Sequence, residues 1–158
     1  MKILSKQKNS RMCMICGLDN EYGVNAPFYN MEDGSVMTVF RYKEQHQSYP
    51  GRVHGGMITA MLDEMGLRSL WAKELSEETF GVTISLDTKY RKPVPYETEL
   101  IGRGVVVKNT SHFIITDSYI MDKDGEILAN GRIKYIKMDT QKIQEGVEVH
   151  EEMPYLVE

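Results

Sequence analysis

The sequence lacks most of what would mark a specialised class of protein. It has two cysteines, Cys13 and Cys16, in 158 residues, too few to staple a secreted scaffold. No apolar run approaches the roughly 18 residues needed to cross a bilayer. Lys2, Lys6 and Lys8 give the N-terminus positive charge, but no apolar stretch follows them, so a secretory signal is not expected. Basic residues are not in excess either: 19 Lys and Arg stand against 23 Asp and Glu, a net charge of −4. That balance argues against nucleic acid as the main partner, because phosphate binding needs a basic face. No linker-like stretch and no internal repeat interrupts the chain between residue 12 and Asp139. What remains is one domain with an ordinary apolar share of 41%, long enough to bury a core and expected to be cytoplasmic. Composition carries no function.

Patterning gives the organisation. Residues 1–11 are polar and read as a flexible N-terminus. Ala26 to Asn30 and Ser35 to Tyr42 read as strands around Met31-Glu32-Asp33-Gly34, because Asp-Gly is a strong hairpin signal. Residues 43–53, with Pro50 and Gly51, read as a loop. Gly55 to about Leu75 reads as one long helix. Its apolar residues cover more than half the circumference, so the helix is expected to be buried. Gly66 is its weak point, costing about 1 kcal/mol against Ala unless close packing needs the gap. Phe80 to Tyr90 alternates, with Val82, Ile84 and Leu86 on one face and Thr83, Ser85 and Asp87 on the other. Pro93 and Pro95 end it. Glu97 to Lys108, Ser111 to Met121 and Glu126 to Lys137 complete four strands joined by short turns, which pair antiparallel. The expectation is an α+β domain over residues 12–139 in which a sheet of about six strands wraps one long helix. The tail, 140–158, is charged and leaves room for a short helix.

The informative stretch runs from Tyr49-Pro50-Gly51 to Asp63-Glu64. His54-Gly55-Gly56 sits where a loop becomes a helix. Free N–H groups and the positive end of the helix dipole meet there, and glycine lets a ligand approach. Asp63 falls about two turns further on, in an otherwise apolar run, where an unpaired carboxylate costs several kcal/mol. At about 1.5 Å per residue, Asp63 lies roughly 10–12 Å from the helix start. One helix cannot easily bring both groups to one ligand. A second copy, antiparallel across a two-fold axis, could supply the acid.

This arrangement resembles the hotdog-fold acyl-CoA thioesterases of the phenylacetate-degradation type. The resemblance rests on the His-Gly-Gly tripeptide, the acid nine residues after the His, and the order hairpin, buried helix, four strands. It covers roughly Cys13 to Asp139. Gln47-Ser48-Tyr49-Pro50-Gly51, Asp63-Glu64 and Arg91-Lys92-Pro93-Val94-Pro95 are similar too, and Cys13-Met14-Ile15-Cys16-Gly17 with Asn20 and Gly23 is similar to an N-terminal signature of one branch. The resemblance implies a hotdog fold and a homo-oligomer, dimer or dimer of dimers, with active sites at the subunit interface. It implies hydrolysis of an acyl-CoA thioester with no separate cofactor, coenzyme A being part of the substrate. The Gly55 N–H would polarise the thioester carbonyl, with Gly56 beside it, and His54 would hold the loop. Asp63 of the partner would act as general base or as nucleophile; burial among Met61, Leu62 and Met65 is expected to raise its pKa. Relatives carry Asn where this chain has Ser48, and one branch carries Gln one step earlier, which matches Gln47; Gln47 is the preferred water-positioning residue. Thr83 matches a hydroxyl that faces the acid. Arg91 and Lys92 are candidates for the coenzyme A phosphates.

Plainer readings stand beside these. His54 could be a capping residue, Asp63 an acid paired with a base, and Arg91 and Lys92 a solvated strand end. Glu64 points about 100° away from Asp63 and reads as structural. For Cys13 and Cys16, zinc wants four ligands and one chain offers two cysteines; a dimer could supply four, but nothing else in the sequence supports that, and a redox pair wants a thioredoxin-like context; ordinary packing is expected, and no metal. The rival from another class is a non-catalytic hotdog protein that binds or senses acyl-CoA. A hotdog dehydratase would need its His and acid in another setting.

Overall fold

A computed structural model describes residues 2–74, 79–138 and Glu145. The expected tail from 140 to 158, with its possible short helix, otherwise lies outside the described residues. In chain order the elements are β1 (Ile3–Lys6), β2 (Tyr29–Met31), β3 (Val36–Phe40), β4 (Gln47–Tyr49), β5 (Arg52–Val53), α1 (Gly55–Glu74), β6 (Phe80–Tyr90), β7 (Leu100–Asn109), β8 (Phe113–Met121) and β9 (Ile127–Met138). Among the described residues α1 is the single α-helix. It starts where the His-Gly-Gly pattern places it.

Seven strands form one antiparallel sheet in the order β1-β2-β3-β7-β8-β9-β6. The helix packs against β2, β3 and β6 to β9. This is the expected α+β hotdog arrangement, a large sheet holding one long helix. The core is apolar on both sides of the contact: Ile58, Met61, Leu62 and Met65 from α1 meet Val36, Leu100, Ile120 and Ala129 from the sheet. Leu70 of α1 belongs to a second cluster with Ile114, Ile133 and Tyr135.

Three glycines set the distance between the two layers. A side-chain carbon on Gly104 would collide with the Met65 carbonyl, and one on Gly102 with the Met65 sulfur. The helix backbone therefore lies almost on the strand. At Gly66 a methyl group would overlap the Tyr135 hydroxyl and Thr116 Oγ1. Gly66, the weak point of the helix in propensity, is what admits Tyr135, whose hydroxyl donates to the Asp63 carbonyl at 2.6 Å.

Three expectations differ from the structure. The N-terminal residues, read as loose, contribute β1, paired with β2. Gln7, Asn9 and Ser10 behind it are buried. Their polarity hid this, because it is answered by partners distant in sequence. Gln7 Nε2 donates to Asn30 Oδ1 at 2.7 Å and to the Arg68 carbonyl at 2.9 Å. Arg68, wholly buried in α1, donates Nη1 to Gln7 Oε1 and to the Lys8 carbonyl. Second, residues 47–53 form a small ladder, β4 with β5, closed by Pro50-Gly51 with Gly51 at φ 79°, as a type II turn requires. Third, β6 does not alternate along its whole length. Thr83 pairs with Tyr135 but Ser85 with Lys134, so Ile84 is an extra residue, a β-bulge. Leu86 therefore joins the core cluster on the same side as Thr83, not opposite to it.

Gly66→Ala should lower stability. Overpacking costs about 1–3 kcal/mol and outweighs the roughly 1 kcal/mol of helix propensity gained. The urea midpoint should fall; a rise would mean that Tyr135 moves aside freely.

Candidate active site

The mouth of α1 is built by the chain that precedes it. The buried His46 ring lies 2.6 Å from the Tyr22 carbonyl and accepts the Lys43 N–H on Nδ1 at 3.0 Å. The His46 carbonyl accepts the His54 N–H at 2.8 Å. His54 Nδ1 in turn accepts the Gly56 N–H at 2.9 Å, and the His54 carbonyl takes the N–H groups of Met57 and Ile58. His54 is thus an N-cap, an imidazole doing what Ser or Asp commonly does. The accepting Nδ1 leaves the ring proton on Nε2. Of the first amides of α1, the Gly55 N–H has no acceptor among the described residues. It points from the positive end of the helix dipole.

A pocket of about 450 Å³ opens at this point, lined among others by Ser48, Tyr49, Arg52, Gly55, Tyr90 and Arg91. Lys92 also lines it. Ser48 thus reaches the pocket; Gln47, exposed on β4, is not part of its wall. Arg91 donates Nε to Asn130 Oδ1 at 2.6 Å, and Lys92 pairs with Glu126. Both keep exposed surface at the rim.

Sequence reasoning missed Tyr90 and Arg52. The Tyr90 hydroxyl donates to the Gly55 carbonyl at 3.1 Å and lies 2.7 Å from Thr59 Oγ1. Its ring fills the space a Gly55 side chain would need. It faces the helix because the bulge at Ile84 brings residues 86, 88 and 90 inward, a shift that no pattern of polar and apolar residues announces. Arg52, on the two-residue strand β5, carried no signal beyond its closeness to His54.

Asp63 lies half-buried two turns along α1. Thr83 Oγ1 donates to its carboxylate, at 2.9 Å from Oδ1 and 3.1 Å from Oδ2. Burial pushes the Asp63 carboxyl above its ordinary value; the hydrogen bonds from Thr83 and Tyr135 pull the other way, and Glu64 adds a small push upward. The plainer reading, an acid paired with a base, applies instead to Glu64, which accepts Arg68 Nε at 2.7 Å. Gly55 and Asp63 are eight residues apart on one straight element, about 12 Å, and Asp63 is outside the pocket wall. One chain does not bring them together.

A second group of reactive side chains sits behind the helix. The sulfurs of Cys13 and Cys16 and a carboxylate oxygen of Glu64 all lie within 4.8 Å of one another. The Cys13 thiol donates to Glu64 Oε2 at 3.8 Å; interaction with Cys13 draws the Cys16 thiol down to about 7, and interaction with Cys16 together with burial pushes the Cys13 thiol up.

The fold and the helix mouth define a hotdog-type α+β domain. The chain belongs to the thioesterase superfamily, whose family model matches residues 50–129, a span that includes the His-Gly-Gly cap, Asp63 and Thr83. It is 25% identical over 140 residues to the acyl-coenzyme A thioesterase THEM4 of Rattus norvegicus, covering 88% of this chain and 57% of that protein. It is 23% identical over 100 residues to acyl-coenzyme A thioesterase 13 of Homo sapiens, covering 63% of this chain and 70% of that protein. The chain thus spans little more than half the length of the rat relative. A crystal structure of a thioesterase superfamily protein superposes with a TM-score of 0.70 at 26% identity, covering 79% of this chain and 63% of that one. The structure of a thioesterase protein with coenzyme A from Streptococcus pneumoniae has the same fold, with a TM-score of 0.64 at 19% identity, covering 73% and 90%. Among the described residues no helix is long and apolar enough to cross a membrane.

Thr83→Ala should raise the Asp63 pKa further. The lost hydroxyl donates to the charged carboxylate and favours that form. Carbon-13 NMR titration of the Asp63 carboxyl should give a midpoint at higher pH than wild type; an unchanged or lower midpoint contradicts the assignment.

Proposed function

We propose that this chain hydrolyses an acyl-CoA thioester to a carboxylic acid and coenzyme A, as a homodimer or a dimer of dimers. The observation that carries the reading is the unengaged Gly55 N–H at the dipole end of α1, opening into a pocket with Arg52, Arg91 and Lys92 at its sides. A thioester carbonyl oxygen set against that N–H gains stabilisation as it becomes an oxyanion, an effect of about 10²–10³ in rate for a single donor. The basic side chains suit the phosphates of coenzyme A. Gly56 leaves the mouth open, and Ser48 offers a hydroxyl to a bound water. Gln47, the preferred residue for that water from the motif comparison, stays a candidate only if the assembled site brings it to the pocket.

Asp63 comes from the partner in this reading. Edge strand β6 exposes Val82 and Ile84 at 39% and 49%. Pairing two β6 edges antiparallel about a two-fold axis would hide these side chains and set the two helices side by side, head to tail. The mouth of one α1 then lies beside the second turn of the other. As general base, Asp63 takes a proton from water, whose oxygen attacks the carbonyl carbon. The oxyanion collapses, the C–S bond breaks, and the thiolate leaves to take up a proton. As nucleophile, the carboxylate itself attacks, and water then cleaves the resulting anhydride. The raised pKa fits a base that is stronger than an exposed Asp.

The test is thiol release from a panel of aryl, short-, medium- and long-chain acyl-CoA thioesters. Asp63→Asn should lower kcat by roughly 10²–10⁴ with the fold retained by circular dichroism. Wild-type turnover in that variant would overturn the proposal. Binding of acyl-CoA by the wild type with no thiol release would favour the carrier or sensor reading.

A further inference from the structure

The Cys13, Cys16 and Glu64 cluster is not used by the site above. It joins two parts of the chain that are 48 residues or more apart in sequence. Cys13 and Cys16 lie in a loop tied tightly by backbone hydrogen bonds: Gly17 N–H to the Cys13 carbonyl at 2.9 Å, Val24 N–H to Met14, and Ala26 N–H to Ile15. A side-chain carbon on Gly17 would collide with the Cys13 carbonyl, so the turn closes only with glycine after the second cysteine. Glu64 comes from α1, directly after Asp63.

Both sulfurs already have hydrogen-bond donors of the kind that steady metal-bound thiolates. The Ile15 N–H points at Cys13 Sγ at 3.3 Å, and Ser10 Oγ is 3.3 Å from Cys16 Sγ. The Glu64 carboxylate is divided: Oε1 accepts Arg68 Nε at 2.7 Å, while Oε2 faces Cys13 Sγ at 3.8 Å. A hydrogen bond to the oxygen that does not ligate is how a carboxylate ligand is commonly oriented. With Zn–S near 2.3 Å and Zn–O near 2.0 Å, a tetrahedron separates its S and O corners by about 3.5 Å; Cys13 Sγ and Glu64 Oε2 stand 3.8 Å apart, and Cys16 Sγ lies within 4.8 Å of both. Two thiolates and a carboxylate set against a dication and the buried Arg68 guanidinium leave no net charge, so the cation removes the mismatch that two thiolates alone would create.

We propose that Cys13, Cys16 and Glu64 form a binding site for a thiophilic divalent cation of the zinc class. Two cysteines alone are too few for zinc; folding brings Glu64 beside them as a third ligand. Cys13 and Glu64 are partly exposed, so water reaches the side on which no fourth protein ligand lies among the described residues. Bound there, the cation pins the 10–26 loop to the turn of α1 that carries Asp63.

Co²⁺ is the probe, added to the full-length, reduced and chelator-stripped chain. The wild type should bind one Co²⁺ per chain with a thiolate-to-cobalt charge-transfer band, and Zn²⁺ should displace it. Cys13→Ser should abolish the band, and Glu64→Gln should weaken binding at least about tenfold. Should Glu64→Gln unfold because Arg68 loses its partner, Cys13→Ser, a near-isosteric change, decides the matter alone. Absence of the band in the wild type, or its survival in Cys13→Ser, overturns the proposal.

Discussion

The closeness of α1 to the sheet is the constraint on which the rest depends. Gly102 and Gly104 on β7 let the Met65 carbonyl lie against the strand, and Gly66 lets Tyr135 reach the Asp63 carbonyl. With larger residues at these positions the helix would ride higher. Asp63 would then lose Thr83, and Gly55 would lose the Tyr90 ring that supports it. The conformational cost of glycine in a helix and a strand is offset by contacts that no other residue permits.

A second theme is polarity inside the fold. Arg68 is wholly buried, yet its guanidinium is met by Glu64, Gln7 and the Lys8 carbonyl and lies 4.3 Å from the centre of the Phe28 ring. A buried charge survives only when paired and hydrogen-bonded. These partners draw the N-terminal strand and the loop that follows it against the helix. Two adjacent acids of α1 meet different surroundings. Glu64 is spent on Arg68 and the cysteine loop. Asp63, turned about 100° around the axis, has no basic partner among the described residues, and its carboxylate accepts the Thr83 hydroxyl.

Much of this was legible from residue order. The helix and the four long strands after it follow from periodicity. The cap, Gly55 and Asp63 follow from the placement of a polar cluster at a helix start and an acid in an apolar run. The packing of residues 7–10 was not legible, because Gln7, Asn9 and Ser10 look like solvated loop residues and their partners lie up to 61 positions away. Tyr90 was not legible either, because a one-residue bulge reverses which face each later side chain of β6 takes, and the pattern of Val82, Ile84 and Leu86 gives no sign of it.

By itself, then, residue order determined the local elements and the sites set by short spacing: a helix mouth with a free amide and an acid two turns on. These depend on interactions within a few residues, which repeat with the period of the backbone. Only the tertiary structure decided which distant groups share a space: Thr83 with Asp63, Tyr90 with Gly55, Arg68 with the N-terminus, and Glu64 with the two cysteines. Those meetings depend on strand order, on one bulge and on three glycines that set the spacing of the layers, and none of these has a periodic signature along the chain.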